Sequence, residues 1–299
     1  IMSIPEIASK LVKNSFTELK KNSSSSTIII VGSKNVGKSS LINNFLEKNE
    51  APRETLVLEY SFGRKSIQKH GIDKTICHVW EYGGKLEMMK EALTAVPVEH
   101  NFYFCIMVDL NKSRSLWNVL EISLETIANN YKNPDTSPEI VIIGGNYDLF
   151  KNIESELKKL ICTTLRSVAF LYKAHLIFYS QNEAPLVKKA KDMFYGMGFG
   201  KGISLKDKNT NYLKPLIIPK GTDSWENIGV SPANLDQIKA RYISKISLEP
   251  TITIKSNYSE VQRTHPEPIL DSLAALKPVT HLRAIWQFEC PQVVSCNNR

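Results

Sequence analysis

The sequence predicts an α/β fold: a mostly parallel sheet with one antiparallel edge strand, helices on both faces, and a C-terminal extension. Three observations carry this. Between residues 27 and 195, apolar β-branched runs alternate with helical segments, the order that builds parallel strands joined by crossover helices. The first run, Thr27-Ile28-Ile29-Ile30-Val31, feeds Gly32-Ser33-Lys34-Asn35-Val36-Gly37-Lys38-Ser39 and then a helix. The second and third runs are separated only by a polar break, so they form a hairpin.

The stretch Gly32 to Ser39 has the spacing of a phosphate-binding loop. Its glycines permit a tight turn that points successive backbone N–H groups at phosphate oxygens, and the following helix N-terminus adds partial positive charge. Lys38 is placed to reach the outer phosphates, and Ser39 to offer its hydroxyl to magnesium. Ser40 opens a helical stretch to Glu47, with Leu41, Ile42, Phe45 and Leu46 apolar. The candidate nucleotide-binding residues are therefore Gly32, Ser33, Lys34, Asn35, Val36, Gly37, Lys38, Ser39 and Ser40. A glycine-rich turn that binds nothing is the alternative.

Upstream, Ile7, Leu11 and Leu19 recur at near-helical spacing over residues 4–21, and Asn22 to Ser26 reads as a tether. Downstream, Thr55 to Phe62 and Lys74 to Glu81 are the hairpin strands, broken around His70-Gly71-Ile72-Asp73. His70 and His78 lack nearby ligand partners and read as surface or core residues. Strands follow at Phe102 to Leu110, Glu139 to Gly144 and His175 to Ser180, interleaved with helices at Leu116 to Tyr131, Ile153 to Tyr172 and Ala184 to Met193. From Gly196 the pattern changes: Gly196, Gly198, Gly200 and Gly202 predict a flexible exit, and Tyr212 to Pro219 an extended apolar run. Ser231-Pro232 predicts a capped helix start, with Leu235, Ile238, Tyr242 and Ile246 on one face and Pro250 as its stop. The expected organisation is a leading helix and Ser-rich tether over 1–26, a P-loop domain over 27–195, an extended arm and helix over 196–250, and a proline-broken tail over 251–299.

With 299 residues, 42% of them hydrophobic, the chain can bury a full core. No apolar stretch approaches a membrane span, since even Asn101 to Leu110 is broken by Asp109. No signal-type apolar block precedes the phosphate loop, and Glu6 and Glu18 argue against a transit peptide, so a cytosolic chain is expected. Cys77, Cys105, Cys162, Cys290 and Cys296 form no C-x-x-C pair and read as small buried hydrophobes. The net charge of +8 comes from dispersed Lys and Arg, which points to a solvated basic face rather than a nucleic-acid-binding arm.

The strand order over residues 27–195 resembles that of the small GTPases, a Ras-like P-loop fold. In such proteins a threonine after the first helix completes the magnesium shell, and Thr55 is placed for that role beside Ser39. The Asp-x-x-Gly element reads Glu81-Tyr82-Gly83-Gly84, whose added methylene is expected to displace the carboxylate. The water-positioning glutamine is replaced by Lys85, which cannot orient water in the same way. The base-reading Asn-Lys-x-Asp reads Gly145-Asn146-Tyr147-Asp148, keeping Asp148, and Ser-Ala-Lys reads Ser180-Gln181-Asn182, keeping the serine. GTP or GDP with magnesium is the implied ligand, on a domain whose catalytic elements are eroded.

Together the phosphate loop, Thr55 to Arg64, Trp80 to Gly84 and Ile142 to Phe150 resemble the dynein light intermediate chains, and among them the cytoplasmic dynein 2 type. Cys162 to Ala169 and Lys214 to Ser224 also match, and the resemblance spans about residues 27 to 248. It implies a non-catalytic subunit that binds the dynein 2 heavy chain and other dynein 2 subunits, serving retrograde intraflagellar transport and cilium assembly. The implied location is cytoplasm, cytoskeleton and cilium, including basal body and axoneme. The competing readings are an active small-GTPase-like switch and, with no arginine-rich lid to support it, a nucleotide kinase. The favoured partner surface is the stretch Tyr212 to Leu248, through Leu213, Leu216, Ile217, Ile218 and the Leu235 to Ile246 stripe, with the leading helix as the other candidate; the alternative is that both pack on the domain's own core.

Overall fold

The computed structural model describes residues 25–66, 74–98, 101–132, 137–200 and 202–249. The expected leading helix, the hairpin turn around His70, the Pro250 stop, the tail and Cys290 and Cys296 lie outside the described residues. In chain order the elements are β1 (Ser26–Gly32), α1 (Lys38–Leu46), β2 (Leu58–Ser66), β3 (Lys74–Tyr82), α2 (Met89–Leu93), β4 (Asn101–Asp109), α3 (Ser113–Asn130) and β5 (Glu139–Gly145). They continue with α4 (Tyr147–Phe150), α5 (Ser155–Leu171), β6 (His175–Phe178), α6 (Ala184–Phe199), β7 (Ile217–Ile218), α7 (Trp225–Ile228) and α8 (Leu235–Ile243).

The strands form one seven-stranded sheet in the order β2-β3-β1-β4-β5-β6-β7. Pairs among β3, β1, β4, β5 and β6 are parallel, and β2 lies antiparallel on β3 as the hairpin predicted. The arm adds β7 antiparallel to β6 at the opposite edge. β1 is buried on both faces: Ile29 and Val31 join the core beneath α2, α3, α5 and α8, while Ile28 and Ile30 join the core beneath α1 and α6. An unbroken apolar run is what a central strand covered on both sides requires. The chain leaves β1 toward β3 on one side and returns to β4 on the other, so a crevice opens at the carboxyl end of β1, where ligands bind in folds of this topology.

Three local expectations are corrected. Gly196 and Gly198 do not begin a flexible exit; α6 continues through them to Phe199. A Cβ on Gly198 would come within 2.8 Å of Cys77 Sγ, and the Gly198 carbonyl accepts a hydrogen bond from Ser26 Oγ at 2.9 Å. The glycine lets the helix lie against β1 and β3. Ser231-Pro232 does not start the last helix; Asn234 does, accepting from Gln237 N at 2.9 Å while Gln237 Oε1 accepts from Asn234 N at 3.1 Å. That reciprocal pair satisfies the donors a helix start leaves open, so it fixes the boundary.

The third correction concerns the arm as a partner surface. Leu216, Ile217, Ile218, Ile238, Tyr242 and Ile246 are buried in the domain's own cores. Tyr242 packs its ring 5.9 Å from Trp117 and donates its hydroxyl to Ser113 O at 2.6 Å, and Lys239 pairs with Glu121 across α8 and α3. Of the expected contact residues Leu213 stays exposed and Leu235 is partly buried. Two short strand residues and one helical stripe therefore complete the domain rather than serving a partner.

Candidate functional site

The phosphate loop is shaped by its contacts beneath. Ser33 N donates to Met107 O at 2.9 Å, and Ser33 Oγ accepts from Asp109 N at 3.2 Å, which ties the loop to the end of β4. Gly32 takes a φ of 142°, and a Cβ there would stand 1.9 Å from Met107 O, so no other residue fits. Asn35 and Gly37 adopt left-handed φ values of 58° and 96°, completing the turn before α1. Gly32, Ser33 and Val36 form the underside of this turn, and Lys34, Asn35, Gly37, Lys38, Ser39 and Ser40 face a cavity of about 310 Å³. Thr55, Arg53, Glu54, Glu81, Gly83, Asn146 and Gln181 line the remainder.

Lys38 is 6% exposed, and its Nζ donates to Ser33 O at 2.9 Å and Gly32 O at 3.4 Å. Burial lowers its pKa below the ordinary lysine range, opposed by the Glu81 carboxylate nearby. A buried ammonium held by two backbone carbonyls suits an anion delivered into the cavity. On this donor chemistry a nucleotide's phosphates fit.

The hydroxyls expected to serve magnesium line the same cavity. Ser39 Oγ donates to Glu81 Oε1 at 2.8 Å, and Thr55, buried in the loop before β2, donates to Glu59 Oε2 at 3.0 Å. Glu81, a methylene longer than the aspartate of the pattern, brings its carboxylate onto Ser39. Burial raises the Glu81 pKa, with Ser39, Lys38 and Thr55 opposing and Glu59 adding to the rise. Hard carboxylate and hydroxyl oxygens are the donors a magnesium ion takes, so the set of Ser39, Thr55 and Glu81 fits that ion.

At the base end, Asp148 sits at the start of α4 with one carboxylate oxygen 2.7 Å from Ser180 Oγ and the other 2.8 Å from Asn182 Nδ2. Burial acts to raise its pKa, but these two hydrogen bonds, a backbone hydrogen bond and the charge of Lys151 together hold the carboxyl below its usual range. Asn182 was not singled out from sequence; its position two residues after Ser180 in the Ser-x-x element was the available signal. Gly145 stands where the pattern has asparagine because Val36 occupies the space: a Cβ would lie 2.5 Å from Val36 Cγ2. Lys85 is exposed and outside the cavity lining, its carbonyl accepting from the Tyr82 hydroxyl.

Elsewhere the histidine and cysteine expectations hold among the described residues. His78 Nδ1 lies 2.9 Å from the Tyr60 hydroxyl on the outer hairpin. Cys77, Cys105 and Cys162 are buried, with burial pushing the Cys77 thiol to about 11 and Cys162 to about 12. No group of three His, Cys, Asp or Glu residues suited to a metal occurs among the described residues. No described helix is long and apolar enough to cross a membrane.

The sheet order and the loop at its switch point define a Ras-like P-loop domain of GTPase type, and residues 27–148 match the family model for Roc, described as "Ras of Complex, Roc, domain of DAPkinase". Cytoplasmic dynein 2 light intermediate chain 1 of Bos taurus is 33% identical across 69% of this chain and 68% of that protein. The Homo sapiens protein of the same name is likewise 33% identical across 69% and 68%. The chain belongs to the dynein light intermediate chain family and is most like its cytoplasmic dynein 2 members. Among solved structures, the dynein light intermediate chain's conserved domain aligns at a TM-score of 0.47 and 12% identity, over 85% of this chain and 98% of that one.

Proposed function

We propose that this protein is a non-catalytic subunit of a cytoplasmic dynein 2 complex that binds and stabilises the heavy chain for retrograde intraflagellar transport and cilium assembly. The observation that carries the reading is the family membership, with two thirds of the length of the dynein 2 relatives matched. On this reading the chain works with the heavy chain and other dynein 2 subunits in the cytoplasm, on the cytoskeleton and in the cilium, at basal body and axoneme. Residues 27–195 with the arm over 196–250 act as a scaffold.

With the arm folded in, the proposed heavy-chain contact moves to the outer hairpin. Tyr60, Phe62, Ile76, His78 and Trp80 share one face of the β2–β3 pair by register. Tyr60 lies 4.7 Å from Trp80, 5.9 Å from His78 and 6.2 Å from Phe62, ring centre to ring centre. Phe62 is 60% exposed, and Leu56 and Val57 continue the apolar surface. The opposite face of β2 is covered at Gly63 by Phe199 and Leu46. An exposed aromatic cluster of this kind marks an interaction site, and a basic chain is steered toward an acidic partner before apolar anchors hold it. Co-expression with the heavy-chain tail tests this: Phe62→Asp and Tyr60→Ala are expected to abolish co-purification while leaving the melting temperature unchanged. Co-purification at the wild-type level by both variants would refute the contact.

The proposed ligand is GDP or GTP with magnesium, held by Gly32 to Ser40, by Ser39 and Thr55 at the metal, and by Asp148 at the base. A second reading, an active switch, draws on Ser39, Thr55 and Glu81 lining one cavity. Lys85 at the water-positioning place favours the scaffold.

A further inference from the structure

We propose that the outer edge of β2 pairs with the same edge of a second copy of this chain, joining two sheets across a two-fold axis at Phe62. Neither the nucleotide nor the heavy chain enters this pairing.

Among the described residues β2 closes the sheet on one side, with β3 as its neighbour on the other. In an antiparallel pair, residues bonded to the partner strand alternate with residues whose backbone N–H and C=O turn away from it. Gly83 N donates to Val57 O at 2.9 Å, one step before the ladder begins. The register then runs without a bulge from Leu58 opposite Tyr82 to Ser66 opposite Lys74. Glu59, Ser61, Gly63 and Lys65 therefore bond to β3, and Phe62 and Arg64 turn their backbone groups outward. Such an edge is a template for a further strand.

The side chains decide which strand fits. A second β2 laid antiparallel across a dyad at Phe62 sets Phe62 against Phe62 and Arg64 against Tyr60, where a guanidinium meets an aromatic ring. On the other face Glu59 meets Lys65, twice by symmetry. These are the close pairs of the new ladder, and opposite charges there favour pairing. Glu59, Arg64 and Lys65 are all exposed in the single chain. Thr55 Oγ1 holds Glu59 Oε2 at 3.0 Å, and Lys65 Nζ stands 4.6 Å from the centre of the Tyr195 ring. A lone lysine blunts an edge strand; in this register Glu59 of the other copy cancels it. Moving the dyad by one residue loses both ion pairs, since at Ser61 Glu59 meets Gly63 and at Gly63 Lys65 meets Ser61. The dyad stands normal to the sheet, so the aromatic faces of both copies lie on one side and stay open.

Sedimentation velocity of the full chain over a concentration series tests this. The wild-type chain is expected to pass from one copy to two as concentration rises. Arg64→Pro removes an outward N–H without touching a bond to β3, a place where edge strands tolerate proline, and is expected to remain a folded single copy. Glu59→Lys and Lys65→Glu each create two like-charge pairs and are expected to raise the dissociation constant about tenfold. Combining the two substitutions is expected to restore pairing, a rescue that a merely structural role for either side chain does not give. Should Arg64→Pro fail to fold, the charge variants and their combination decide. A wild-type chain that stays a single copy throughout would overturn the proposal. So would a dimer left unchanged by Arg64→Pro and by both charge reversals, because it would lie on another surface. A single-copy chain whose Arg64→Pro variant loses heavy-chain co-purification would give the edge to a heavy-chain strand, overturning self-pairing while the heavy-chain reading stands.

Discussion

Arg166 and Asp223 form a two-pronged ion pair, Nε to Oδ2 and Nη2 to Oδ1 both at 2.8 Å, with both side chains less than a tenth exposed. Arg166 lies on α5 and Asp223 in the arm before α7, and Arg166 Nη2 also donates to Asn227 O at 3.0 Å. The pair is a buried polar fastening of the arm to the domain, and its planar fork geometry is one that lysine does not reproduce.

Asp223→Ala is expected to destabilise the protein by about 3–5 kcal/mol, because it leaves a buried guanidinium without its counter-charge. Arg166→Lys is expected to recover only part of the loss. Urea unfolding with the midpoint and slope compared across the variants measures both. A loss below 1 kcal/mol for Asp223→Ala would show that the arm is held by its apolar contacts alone.

A chain ending at Gly200 is expected to be insoluble. It removes Leu216, Ile217, Ile218 and Tyr242, all buried, each contributing about 1.5–3 kcal/mol by burial, and it uncovers the outer edge of β6. Expression of the truncated and full chains side by side, with solubility and circular dichroism as readouts, decides it. A soluble, cooperatively melting truncation would show that the sheet core is self-sufficient.

Turnover is expected to be slow. With Lys85 where a glutamine orients the attacking water, single-turnover GTP hydrolysis without a partner should not exceed the intrinsic rate of GTPases, on the order of 10⁻⁴ per second. Hydrolysis approaching one per second would overturn the scaffold reading in favour of a working switch.

The pH dependence of stability is expected to include the β5–β6 edge. Glu139 Oε1 accepts from His175 Nε2 at 3.2 Å and from Lys220 Nζ at 3.4 Å, while His175 Nδ1 accepts from Lys220 N at 3.2 Å. The His175 hydrogen bond is the main cause holding the Glu139 carboxyl below its ordinary pKa, against a rise from burial and with help from Lys220. A depressed carboxyl contributes its stability above the unfolded value near 4.5 and loses it as pH falls through the lower folded value. Glu139→Gln should therefore cost about 1 kcal/mol at pH 7 and nothing once the wild-type carboxyl is protonated. A cost that persists unchanged at pH 2.5 would show a packing effect instead.

The parts of this fold legible in sequence were those where a local pattern and its physical demand coincide. The run Thr27 to Val31 entering Gly32 to Ser39 is one, because the apolar strand, the glycines and the helix after them constrain each other within a few residues. The hairpin was legible for the same reason, through β-branched and aromatic runs about a polar break. The arm was not, because Leu216-Ile217-Ile218 reads identically whether it covers β6 or a partner. Gly198 was misread as flexible because its reason, the Cys77 side chain, lies far away in sequence. In the candidate site, each motif residue could be located from sequence, but the reach of Glu81 to Ser39, the donation of Asn182 to Asp148 and the register of Glu59 with Glu81 appear only when the strands are paired.

Gly32 is held to glycine by the carbonyl of Met107, a neighbour in its own sheet, before any phosphate arrives. The letter that advertises nucleotide binding is thus also a requirement of how β1 meets β4. A lineage that abandoned the ligand altogether would still write that glycine, so signature and chemistry are free to part company in this fold. What registers the chemistry is instead the set of positions with no architectural duty, such as Lys85, and there this chain has already changed its wording.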